Sequence, residues 1–399
     1  MSVSADSTTR VDPTALLRLS AFGSLASMRV CDSLTAPLAD AFAVTTVEAA
    51  HAISFFAIAY GLLQAFYGPL SDRIGKTRVI GLATAGCALA NLFVLLAPSM
   101  PAVSMLRALS GAFAAGIVPI GMAYIGDTVP YDQRQPALAR FMTATLTGMI
   151  CGQWFGGVLA EAIHWRAPFA VLTLIFVAAL VAQGRAGLLR AAPPAPPDAG
   201  AASRASFIAQ VGGIAAEPWA RVVLLLVFLE GAAAFSLYAM VPTHLHQRFG
   251  LSMTVAGGIL ALLGVGGMLY TFSAARLIRR LGEAGMARLG GTLLAVSFLL
   301  LGLETRAWLA APACLIGGLG LYMLHNTLQT NATQLSQAYR GTAVSMFASS
   351  LFVGQSVGVA VAAELVGSGQ AGALFIACAA VAAALGIGFS IAIGRRQRA

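Results

Sequence analysis

Four ionisable side chains lie inside stretches that are otherwise apolar: Arg29, Asp32, Arg107 and Glu230. A charge at bilayer depth is expensive, and it is by default a candidate for moving a proton or holding a charged solute. Arg29 and Asp32 are three residues apart and share one helix face, so the carboxylate has a cation one turn away. Asp32 then reads in two ways. It is a carboxylate that takes up a proton and releases its cation, or it is half of a permanent ion pair that keeps two helices in register. Glu230 has no cation close by in its own segment. It reads as a second proton site, a contact for a cationic solute, or a neutral acid hydrogen-bonded to a neighbouring helix. His325, Asn326 and Gln329 are weaker candidates. His325 and Gln329 lie one turn apart, and the trio can line a cavity or join two helices by hydrogen bonds. The five cysteines fall in apolar segments without metal-ligand spacing. There is no phosphate-cradling loop of the kind ATP needs, and no nucleophile–base arrangement. No metal, no cofactor and no enzymatic reaction are expected.

The elements that must position these residues are apolar helices. Of the 399 residues, 58% are hydrophobic and 10% charged, where a soluble domain carries about 25% charged residues. A helix needs about 20 apolar residues to cross a bilayer. Such runs occupy 14–39, 47–70, 79–98, 101–126, 137–160, 167–184, 221–242, 253–275, 286–304, 307–331, 342–366 and 370–393. The stretch 185–220, with Pro193, Pro194, Pro196 and Pro197, divides them six and six. The organisation expected is a 1–13 tail, a six-helix bundle over 14–184, a linker over 185–220, a second bundle over 221–393 and a basic tail over 394–399. Basic residues concentrate on the cytoplasmic side of membrane proteins. With the N-terminus inside, 19 of the 24 Lys and Arg fall in cytoplasmic segments, three in outer loops, and Arg29 and Arg107 within spans. Both termini are therefore placed in the cytoplasm. The polar start of the chain predicts no removed leader. The net charge of +9 lacks the aromatic interleaving that single-stranded nucleic acid requires, so no nucleic-acid partner is expected. The nearly Lys-free, Ala- and Arg-rich usage suggests a GC-rich bacterial genome, hence a bacterial inner membrane.

Between the second and third runs stands Gly68-Pro-Leu-Ser-Asp72-Arg73-Ile-Gly75-Lys76-Thr-Arg78, a charged turn too short for anything but joining two spans. Span 4 reads Arg107-Ala-Leu-Ser-Gly111, followed by Asp127-x-x-Pro130-x-x-x-Arg134. Span 5 carries Gly148-x-x-x-Gly152-Gln153-x-x-Gly156-Gly157. The halves echo each other: Gly152-Gln153-x-x-Gly156 recurs as Gly354-Gln355-x-x-Gly358, Arg134 as Arg340, and the 72–75 turn as Arg279-Arg280-Leu281-Gly282. Taken together, these residues resemble the major facilitator superfamily over essentially the whole chain. The 68–78 turn resembles its signature loop. The span 5 run is similar to the motif of its antiporter branch, with Gln153 where a Pro is usual.

The resemblance implies an all-α membrane protein: twelve transmembrane helices in two pseudo-symmetric six-helix bundles, with solute bound between them. It implies a secondary transporter of small molecules, resembling the drug:proton antiporter and exporter branch and acting as a monomer in the lipid bilayer with protons as partner. Asp32 lies five residues from Pro37 and Arg107 six from Pro101, which at 1.5 Å per residue puts both roughly 8–9 Å below the outer edge. On cavity-lining helices the two are expected to pair. Asp72, Arg73 and Arg134 are expected to latch the cytoplasmic side when it closes, with Gly68 and Gly75 required for fit. The readings are proton-coupled export of a partly apolar compound, proton-coupled uptake of a small organic anion held by Arg29 and Arg107, and a non-transporting receptor on the same fold.

Overall fold

The computed structural model describes residues 13–189, 207–336 and 339–398, and among these there are helices and no strands. The 1–12 tail and the centre of the proline-bearing linker lie outside the described residues, as do the side chains of Asp72 and Arg340. The first pass is broken: α1 (Pro13–Arg29), a 3-10 turn (Val30–Ser33) and α2 (Thr35–Phe42). Then come α3 (Thr46–Ile74), α4 (Lys76–Val94), α5 (Met100–Ala114) with α6 (Ile117–Thr128), α7 (Tyr131–Ala162) and α8 (Ala167–Arg185). Helix α9 (Phe207–Ala216) lies in the linker. The seventh pass is α10 (Pro218–Glu230), a π-helical turn (Gly231–Phe235) and α11 (Ser236–Phe249). The rest is α12 (Met253–Leu303), α13 (Ala310–Ala332), α14 (Arg340–Gly367) and α15 (Ala371–Arg396). Nine of the described helical stretches are long and apolar enough to cross a membrane. Counting α12 twice across its turn at Gly282, and adding the broken first pass and α7, accommodates the twelve expected.

The two inter-span turns use the glycines for the reason expected. Gly75, between α3 and α4, has φ 95°, and Gly282, inside α12, has φ 62°. A side chain is disfavoured in that region. Gly68 differs: it stands in open space, with nothing within 4 Å of the position a Cβ would take.

Each half is held by one seam of small residues. A Cβ added at Gly152 or Gly156 of α7 would collide with the carbonyls of Ala26 or Val30 in the first pass. A Cβ at Gly354 or Gly358 of α14 would collide with those of Phe228 or Ala232 in the seventh. All four residues of the two contacts in the second half lie 202 positions after their counterparts in the first. The repeat seen in the sequence is therefore a repeat of backbone contact. Between the halves, α3 packs on α14 and α7 on α12. Ser349 Oγ donates to the Gly61 carbonyl (2.6 Å) and Ser356 Oγ to the Ser54 carbonyl (2.9 Å). The backbone N–H groups of Met253 and Thr254 donate to Glu161. These bonds lie at mid-depth and towards the face away from the start of α1 and the end of α15. Towards the termini face, Leu62, Phe66, Leu70, Leu269 and Phe272 are exposed.

Candidate functional site

The break in the first pass positions the acid. Asp32 sits in the 3-10 turn, where the tighter coil is pinned from two sides. Ser33 Oγ donates to the Gln153 carbonyl, and Leu34 N–H donates to the Cys31 carbonyl at 3.0 Å. Asp32 is buried, with 1% exposure. Arg29 Nη1 lies 3.7 Å from its Oδ2, and neither carboxylate oxygen accepts a hydrogen bond among the described residues. The Gln153 side chain is its amide neighbour. A desolvated carboxylate without hydrogen bonds is costly to keep charged.

The expected Asp32–Arg107 pair is not formed. Arg107, fully buried on α5, donates through Nε to the Ala52 carbonyl and through Nη1 to Ser27 Oγ, each at 3.2 Å. Its guanidinium lies over the Phe56 ring, 4.3 Å from the centroid. Equal depth was therefore insufficient: neutral partners on α1 and α3 take Nε and Nη1 of Arg107, its Nη2 has no hydrogen bond among the described residues, and the ion pair of Asp32 is with Arg29. Glu230 is fully buried at the end of α10, and His325 Nδ1 of α13 lies 2.9 Å from its Oε2, a contact with a neighbouring helix as one of its three readings has it. A partner on a distant segment leaves no trace in local spacing. Asn326 Nδ2 donates to the Tyr322 carbonyl at 2.9 Å, and Gln329 is exposed. Gln153 and Gln355 are buried with their Oε1 atoms unbonded, beside the repeated seams.

At the termini face, an ion pair among the described residues joins Lys76 at the start of α4 to Asp127 at the end of α6. Arg134 Nη2 donates to the Val129 carbonyl at 3.5 Å and Arg73 is exposed. Asp127 opens the Asp127-x-x-Pro130-x-x-x-Arg134 run. Since its side chain is 59% exposed, Asp127→Asn is expected to change stability by less than about 1 kcal/mol, measurable by thermal unfolding in detergent. On the opposite face, Glu161 of α7 accepts from the first two N–H groups of α12, a carboxylate on a helix N-terminus. Burial pushes this carboxyl up. The Thr254 and Met253 hydrogen bonds and that of the Ser252 hydroxyl outweigh it and hold the group below the usual range. His244 is buried near the end of its pass, with Nε2 at 3.2 Å from Glu304 Oε1.

A model of the Major Facilitator Superfamily matches residues 19–359. The chain belongs to that superfamily. It is accordingly a multi-pass membrane transporter of small molecules and not an enzyme. It is 25% identical over 348 residues to the uncharacterized MFS-type transporter YceJ of Bacillus subtilis, covering 84% of each chain. It is 29% identical over 130 residues to the multidrug efflux pump LfrA of Mycolicibacterium smegmatis, covering 32% of this chain and 26% of that one. Its fold is similar to that of the nucleoside transporter NupG at TM-score 0.74 and 12% identity, covering 95% and 98% of the two chains. A peptide transporter, POT, in complex with sulfate superposes at TM-score 0.74 and 14% identity, covering 96% and 94%.

Proposed function

We propose that this superfamily member is a proton-coupled exporter of a small, partly apolar compound, working by alternating access with Asp32 as the coupling carboxylate. The observation that carries this is a buried acid in a helix break, loosely paired with Arg29, beside the Gln153 amide and with neither oxygen hydrogen-bonded among the described residues. Protonation costs such a group no bond and releases a cation. Export is supported by the similarity to efflux pumps over about a third of the chain. The charge count puts the termini face in the cytoplasm. The cross-half bonds then close the outer side, and the exposed apolar residues of α3 and α12 flank an inward opening. Asp72, Arg73 and Arg134, with Gly68, Gly75 and the Lys76–Asp127 pair, form the closing surface of that inner side.

The test is transport in vesicles under an imposed pH gradient. Compounds are first selected as those that accumulate less when the chain is expressed in cells lacking efflux pumps. An inward proton gradient should drive solute out, and flux indifferent to the gradient would end the proposal. Solute movement in the same direction as protons would favour the uptake reading. That reading needs a cationic clamp on an anion, and Arg107 is already committed to Ser27, Ala52 and Phe56.

Glu161 gives a second expectation. A hydrogen bond to a charged acceptor is worth about 1.5–3 kcal/mol, and exposure brings this down to about 1 kcal/mol. Glu161→Gln should therefore shift the population about fivefold towards the outward-open state. Spin-label distances between the outer ends of α7 and α12 would report it. The carboxyl is held below its ordinary pKa when latched. Its contribution is thus complete above about pH 4.3 and is lost only as pH falls through the lowered value. Between pH 6 and 8 Glu161 therefore adds no pH dependence of its own, and in an Asp32→Asn background the latch distances should not move with pH.

A further inference from the structure

Two of the buried acid–base pairs, Arg29–Asp32 and His325–Glu230, belong to different halves, yet one ring touches both. The Arg29 guanidinium lies over the face of Phe235, 5.3 Å from its centroid. The His325 ring meets Phe235 edge-on at 5.7 Å, with the planes 68° apart. Behind Arg29 stands Asp32 at 3.7 Å, and behind His325 stands Glu230 at 2.9 Å. Four ionisable groups are thus arranged in series with an aromatic ring in the middle.

The local backbone explains how the ring gets there. In an α-helix, positions five apart point about 140° away from each other. In a π turn the repeating bond runs from residue i to i+5, so such positions stack on one face. Glu230 precedes the π turn and Phe235 ends it, so the extra residue brings the ring onto the face of the acid. Around this series, Arg107, Cys31 and Gln153 flank Asp32. Tyr322 faces Arg29, and Phe347 packs on His325 at 5.5 Å.

We propose that Phe235 is a positioning residue that insulates one ion pair from the other. Its face holds Arg29 against Asp32, and its edge keeps the His325–Glu230 pair away from Arg29. The functional meaning of this insulation rests on reading Asp32 as the coupling carboxylate. With the ring present, a proton arriving at Asp32 frees Arg29 without discharging Glu230. Without it, Arg29 has a second carboxylate within reach, and the two halves exchange charge without a change of state.

The test is an infrared titration of the carboxyl bands in the purified full-length protein, assigned with Asp32→Asn and Glu230→Gln. In the parent, Asp32→Asn should move the Glu230 midpoint by less than about twofold in proton concentration. In a Phe235→Leu background the same change should move it roughly tenfold, the level at which two sites titrate as a pair. Phe235→Trp, which keeps an aromatic face, should retain the insulation. Phe235→Met serves as the second apolar variant if the Leu protein does not fold. In vesicles, Phe235→Leu should leak protons in the absence of solute, and adding Glu230→Gln should stop the leak. Equal coupling of the two acids with and without the ring overturns the proposal, as does strong coupling already in the parent. Solute flux indifferent to a pH gradient overturns the coupling role of Asp32 instead, and the titration still decides on Phe235.

Discussion

Asp32→Asn is expected to yield a folded protein whose gradient-driven transport falls about 100-fold, the lower range for loss of a positioned proton-transfer group. Folding should survive because the carboxylate accepts no hydrogen bond that Asn would forfeit, and Arg29 keeps its contact with the Phe235 ring. Breaking a buried pair normally leaves a costly unpaired charge. Here the pair is loose at 3.7 Å, which limits that penalty. Solute exchange without a gradient should persist, since it needs the halves to rock but no proton to be carried. Asp32→Glu should retain part of the driven flux. Full driven transport by the Asn variant, with its pH dependence intact, would make Asp32 a structural ion only.

The second large effect lies in the seams. Gly152→Val and Gly354→Val should each destabilise the protein by about 3 kcal/mol, the upper part of the range for overpacking. At both sites the new Cβ meets a carbonyl oxygen of the main chain, which cannot swing aside as a flexible side chain can. Gly388→Val is the control: nothing lies within 4 Å of its Cβ position, and the change should be nearly neutral. Thermal unfolding in detergent, followed by size-exclusion, reads all three. Equal losses at Gly152 and Gly388 would show that loss of glycine, and not the close approach, sets the cost.

What the chain discloses unaided follows from the range of each interaction. Spans, turns and seams are local or repeated features, so Gly75, Gly282 and the Gly152/Gly354 pair were legible from spacing alone. Pairing across spans was not. Arg107 was assigned to Asp32 by depth, which fixes one coordinate of three, and the rotation of α5 turns it to Ser27 and Ala52 instead. The partner of Glu230 is 95 positions away, and nothing in α10 announces it. His244 stands near a helix end, where spacing alone suggests solvent, whereas the end of α12 places Glu304 against it. The π turn that brings Phe235 onto the Glu230 face has no marker in Gly-Ala-Ala-Ala-Phe.

The 202-position offset between the seams also aligns residues that do no packing. Arg29 falls opposite Gly231, Asp32 opposite Ala234, and Met28 opposite Glu230. The carpentry is thus held in common, while the ionisable equipment is shared out unequally. A chimera of two N-terminal halves would reproduce both joints yet carry two aspartates and no counterpart of Glu230. It should assemble as a membrane protein, with both lobes wired for the same task and nothing to answer it.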